Sequence, residues 1–186
     1  QHSRDVQQIA RELHSALHTA GIEGPYLLAG HSFGGLPVRA FAALYPEEVA
    51  GLVLVDASHP DQWQQMPVPD ADRMLTFSFR VQALLYRVGL GRLMTGPVRM
   101  LSAGLPEPIQ HEMTAWFALA QTPAAEYRQI RAWTEISREQ INRAPSLGEL
   151  PLFVIGVTEQ PLYGEALTRL QEQLPSLSKN SVRRVV

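Results

Sequence analysis

Cysteine is absent from the 186 residues, which excludes disulfides, thiol catalysis and cysteine-bound metal without fixing the compartment. Charge is scarce too: 18% of residues are charged, and the net charge of -2 gives no reason to expect a nucleic-acid partner. No apolar run is long enough to span a bilayer as a helix. No secretory signal stands at the start, which means little if the true N-terminus is missing; the compartment stays open, with the cytoplasm favoured. No glycine-rich loop fits a nucleotide, and no cluster has metal-ligand spacing, so neither cofactor nor metal is expected. Internal repeats and low-complexity tracts are missing as well. What remains is a chain with 45% hydrophobic residues, enough for a globular core.

Residues 4 to 20 place Val6, Ile9, Leu13, Leu17 and Ala20 at helical spacing, and Gly21 and Gly24 stop the helix. "PYLLAG" reads as a short buried strand. Leu36, Val38, Phe41, Ala42 and Leu44 then form a second helix, with Pro37 tolerated in its first turn and Pro46 ending it. "GLVLVDAS" is another buried strand, with Asp56 at its C-terminal end. This alternation predicts an α/β fold with a mostly parallel sheet and crossover helices. From residue 62 to 147 strand signals vanish, and helical stretches alternate with Pro and Gly breaks, which reads as a helical insertion. The earlier rhythm returns over 148–186: "LPLFVIGV" as a strand, a helix from about Gly164 to Leu174, and "SVRRVV" as a last strand. A chain that opens at Gln1 and closes on a strand reads as a piece of a longer protein.

Between the first strand and the second helix lies Gly30-His31-Ser32-Phe33-Gly34, followed by Gly35. A serine hydroxyl is a poor nucleophile unless a base takes its proton and donors receive the oxyanion. A tight strand-to-helix turn lifts the hydroxyl clear of the sheet and aims backbone N–H groups at the developing charge. Such a turn needs small neighbours, which Gly30, Gly34 and Gly35 supply. The bare pattern arises by chance in roughly one chain of this length in twenty. Its place between an apolar strand and an amphipathic helix is what marks Ser32 as a nucleophile. Neighbouring residues on such a turn point apart, so His31 is expected to pack beside it.

These residues resemble the serine hydrolases of the α/β-hydrolase fold. "GHSFGG" is similar to their nucleophile elbow, "YPEEVAGLVLVDAS" to the helix end and strand that follow, and the insertion to the cap of capped esterases. The resemblance implies core segments 1–61 and 148–186 around a cap at 62–147. It implies that the Phe33 N–H forms half of an oxyanion hole whose other half comes from a loop not in this chain. It also implies a catalytic histidine after the last strand, beyond Val186, and hence little turnover by these residues alone. The aspartate nucleophile of haloalkane dehalogenases and epoxide hydrolases does not match Ser32.

The expected order is Ser, then an acid, then His. Asp56 and Glu159, each at the C-terminal end of a strand, are the two candidates for the acid. Asp56 is favoured because a short side chain leaves less freedom in orienting an imidazole. His59, in "DASHPDQ", is a candidate for lining the pocket. His111 reads as a surface residue, and His2, His14 and His18 carry no signal. In the insertion, Phe77, Phe79, Leu84, Leu85, Tyr86, Trp116 and Phe117 suggest a small-molecule substrate with an apolar portion. Arg73, Arg80 and Arg87 recur at a step that drifts only about 20° on a helix, so they are expected to share a face, with Met74, Phe77, Val81, Leu84, Leu85 and Val88 opposite. The predicted activity is hydrolysis of an ester or related acyl compound. The alternatives are a non-catalytic binding protein on the same scaffold and a lipase-like enzyme whose basic helix meets a membrane surface. Oligomeric state is not fixed by the sequence.

Overall fold

The computed structural model describes residues 4–65, 70–90, 96, 100, 102–117, 121–157 and 164–186. The chain divides into two compact units, Gln1–Pro69 with Ala132–Val186, and Asp70–Arg131.

The first unit is built on four parallel strands in the order β1 (Tyr26–His31), β2 (Val49–Val55), β3 (Leu152–Gly156) and β4 (Ser181–Val185). Parallel neighbours require crossovers; the helices α1 (Val6–Thr19) and α2 (Gly35–Leu44) pack on each other, and α2 packs on β1 and β2. The burial of α2 runs from Gly35 to Ala42 without a polar stripe, as expected of a helix enclosed on all sides. Phe41, Leu36, Leu52, Leu54 and Val154 are among the fully buried side chains of this core. Full burial of each contributes about 1.5–3 kcal/mol.

The ends of α1 follow from local chemistry. Asp5 caps its start by accepting the Gln8 N–H at 3.0 Å. Its end closes through Gly21 at φ 67°, with the Gly21 N–H donating to the His18 carbonyl and the Ile22 N–H to that of Leu17. That pairing is a Schellman motif.

Residues 132–147 differ from the rhythm read in the sequence, which grouped them with the insertion: they lie in the unit that holds the sheet. A π-helical turn, Trp133–Ser137, precedes the short helix Arg138–Asn142. Trp133 and Ile141 join the buried core, and Ser137 Oγ accepts the Val6 N–H at 3.1 Å. Apolar helices carry no mark of which core they enter, so the boundary was not visible. In the second unit the described elements are helical, chiefly α3 (Ala71–Arg87) and α4 (Glu107–Phe117), with most of α5 (Gln121–Ala132). In the first unit, α6 (Arg138–Asn142) and α7 (Gly164–Gln171) complete the described α-helices.

Candidate active site

Ser32 follows β1 directly and opens a 3-10 turn, Ser32–Gly34, that runs into α2. Its φ of 51° lies in the left-handed region, which costs a non-glycine residue about 1–3 kcal/mol. The surroundings enforce it. A Cβ on Gly30 would sit 2.5 Å from the Gly34 carbonyl oxygen, and one on Gly35 would sit 2.6 Å from Ala57 Cβ. Gly34, expected to relieve crowding, would meet nothing within 4 Å. The close approach falls one residue later, where α2 passes the segment after β2. Ser32 is exposed, and its carbonyl accepts the Ser58 N–H at 2.9 Å. His31, expected to pack beside the turn, is exposed, because the alternation along β1 turns it away from the core. Phe33 is half-buried with its ring 5.2 Å from that of Trp133, which in turn meets Trp63 at 5.3 Å.

Strand register places the acid candidate. His31 pairs with Val55, so Ser32 and Asp56 leave adjacent parallel strands at the same level. Asp56 also adopts a positive φ, 42°, and its N–H donates to the Ile155 carbonyl at 2.7 Å. Its Oδ1 accepts a hydrogen bond from Nε2 of Gln171, a buried residue at the end of α7. Gln171 gave no sequence signal, since nothing in a single glutamine on a helix shows that its amide reaches a strand end 115 residues away. Glu159, the other acid candidate, lies outside the described residues.

His59 is largely enclosed, with 13% of its side chain exposed. Its Nδ1 accepts the Asp61 N–H at 3.1 Å, and burial lowers its pKa, with Asp61 opposing and Arg39 reinforcing the shift. Asp61 in turn accepts from Arg138 Nε at 2.6 Å. Arg39, on α2, is only 9% exposed, and burial lowers its pKa to about 10. Its Nη1 has no hydrogen-bond partner among the described residues. The structure thus gathers Gly30, Ser32, Phe33, Gly35, Asp56 and His59 around the C-terminal ends of β1 and β2. A strained serine, N–H groups at a helix start and a positioned carboxylate are the parts that acyl transfer uses.

In the second unit, Phe77 is 68% and Trp116 60% exposed, two of the aromatic residues read as pocket material. His111 is exposed, as expected, and lies 3.9 Å from Glu107.

A sequence model of the family described as alpha/beta hydrolase fold matches residues 2–179. Among curated proteins, the uncharacterized protein YbdG of Bacillus subtilis is 27% identical over 95 residues, 51% of this chain and 28% of its own length. A solved thermophilic esterase from Thermogutta terrifontis, with malate bound, superposes with a TM-score of 0.65 at 18% identity, covering all of this chain and 64% of that one. A mutant of a Pseudomonas aeruginosa protein described as a candidate epoxide hydrolase superposes with a TM-score of 0.68 at 15% identity, covering all of this chain and 65% of that one. At these identities the two structures speak for the fold alone. The chain spans less than two thirds of each of these proteins.

Proposed function

The chain belongs to the α/β-hydrolase fold family, and on that premise we propose that it carries the nucleophile of a serine hydrolase acting on an ester or related acyl compound. The observation behind this reading is the Ser32 backbone, held at φ 51° between a strand and a helix by glycines whose positions admit no side chain. Such a turn presents the hydroxyl above the sheet and directs helix-start N–H groups toward it.

Ser32 Oγ attacks the carbonyl carbon while a histidine, placed after the last strand by the family's order, takes the hydroxyl proton. The Phe33 N–H and a second donor receive the oxyanion. The imidazolium then protonates the leaving alkoxide, and water repeats the sequence on the acyl-enzyme to release acid and regenerate Ser32. Asp56, steadied by Gln171, orients the imidazole and stabilises its charge. The scheme calls for no cofactor.

The test is hydrolysis of short p-nitrophenyl esters by protein expressed from the complete reading frame. Ser32→Ala is expected to lower kcat by roughly 10⁴-fold or more. Asp56→Asn is expected to cost roughly 10⁴-fold while Glu159→Gln retains activity. Undiminished turnover in Ser32→Ala would overturn the reading, and the reverse pattern in the acids would move the orienting role to Glu159.

One further observation favours a lipid-facing version of this enzyme. Met74, Phe77 and Leu84 on α3 and Val88 at its C-cap are exposed, as are Arg73, Arg80 and Arg87. Apolar side chains flanked by cations suit an anionic bilayer surface.

A further inference from the structure

At the other end of the sheet from Ser32, the fold gathers three side chains that spacing in the sequence did not join. Helical spacing puts His14 and His18 on one face of α1, and Glu48 meets them from the turn that leads into β2. His14 Nε2 lies 3.0 Å from Glu48 Oε1, and His18 Nε2 lies 3.6 Å from Glu48 Oε2. We propose that His14, His18 and Glu48 bind a divalent transition-metal ion, zinc above all, through two imidazole nitrogens and a carboxylate. Metal-ligand spacing in the sequence did not show this group, because Glu48 lies 30 residues beyond His18.

The donor set and its geometry fit. Zinc takes imidazole nitrogen and carboxylate oxygen at about 2.0–2.2 Å, so tetrahedral ligand atoms stand roughly 3.3 Å apart. Each imidazole nitrogen stands close to that distance from one of the two Glu48 oxygens, and one ligand atom from each of the three residues falls within 4.8 Å of the others. Two imidazoles select against calcium and magnesium, which prefer all-oxygen sites. The ligands are also held in place before any ion arrives. The His14 ring stacks on Tyr45 at 3.8 Å and 7°, and the His18 carbonyl is fixed in the Schellman closure of α1. The last turn of α1, which holds His18, lies at the negative end of the helix dipole, which favours a cation. His14 and Glu48 are half-buried and His18 is exposed, leaving an open side for a water as fourth ligand.

The site is structural in character. Glu48 immediately precedes β2 and Asp56 immediately follows it, so a strand of seven residues, about 23 Å, separates the two ends. A bound ion would fasten α1 to the entry of β2 without touching the chemistry at Ser32.

The test is calorimetric titration of the metal-free, untagged chain with zinc chloride in a non-chelating buffer near neutral pH. One zinc per chain is expected, with a rise in the thermal midpoint as the site fills. His18→Ala, a change at an exposed position, is expected to weaken binding by about tenfold or more and to abolish the rise, its fold checked by circular dichroism. His111→Ala, on α4, is expected to bind zinc like the parent. Absence of saturable binding by the parent, equal binding by His18→Ala, or loss of binding in His111→Ala would each overturn the proposal.

Discussion

Gly34 and Gly35 are neighbours in the sequence and unlike in what they must do. Gly34 has φ -57° and open space where a side chain would go, whereas a Cβ on Gly35 would strike Ala57. Gly34→Ala should therefore leave stability unchanged or raise it by about 0.4–1 kcal/mol, because alanine restricts the unfolded chain. Gly35→Ala should lower it by about 1–3 kcal/mol through overpacking. Urea unfolding of the two variants separates them, and equal effects would contradict the packing described. His59 makes a second prediction at this scale. Its pKa is lowered chiefly by burial, and Arg39 adds to the shift while Asp61, itself paired with Arg138, opposes it. Between the lowered value and the ordinary 6.5 the unfolded chain binds more protons, so stability rises as pH rises through that window and is lost as pH falls back through it. His59→Gln should flatten this slope. Arg39→Met should raise the His59 pKa, read by NMR titration of the ring, and a fall would contradict the placement of the guanidinium.

At the scale of elements, the start of α1 depends on a residue far away in sequence. The buried Val6 N–H is one of the donors a helix leaves unpaired, and Ser137 of the π turn accepts it. Ser137→Ala should cost about 1–3 kcal/mol, since the donor stays buried without its acceptor. A cost below a few tenths of a kcal/mol would show that the contact contributes little. Helix α3 predicts at the same scale. Protein with Arg80→Glu and Arg87→Glu should sediment with anionic vesicles at low salt much less than the parent does. Failure of the parent to bind would remove the lipid-facing version. The elements themselves were legible wherever apolar periodicity was strong: α1, β1, α2 and β2 fall within a few residues of their sequence reading. The lower boundary of the insertion was not, because Trp133 and Ile141 look alike whether they serve one unit or the other.

For the whole molecule, the parallel sheet was readable from the alternation of strand and helix, since parallel neighbours need crossovers. The tight strand-to-helix turn at Ser32 was readable because its glycines and serine lie within six residues. Contacts closed by folding were not. Gln171 on Asp56, Ser137 on Val6 and Glu48 on the two histidines join segments whose spacing carries no pattern. No helix among the described residues is long and apolar enough to cross a membrane. The chain belongs to its family by a match over most of its length, while the proposed activity rests on one strained serine. The direct test is fluorophosphonate labelling of the protein from its complete reading frame, followed by peptide mapping. A single adduct on Ser32, lost in Ser32→Ala and slowed in Asp56→Asn, is the predicted result. Labelling elsewhere, or none at all, would contradict the assignment of Ser32 as the nucleophile.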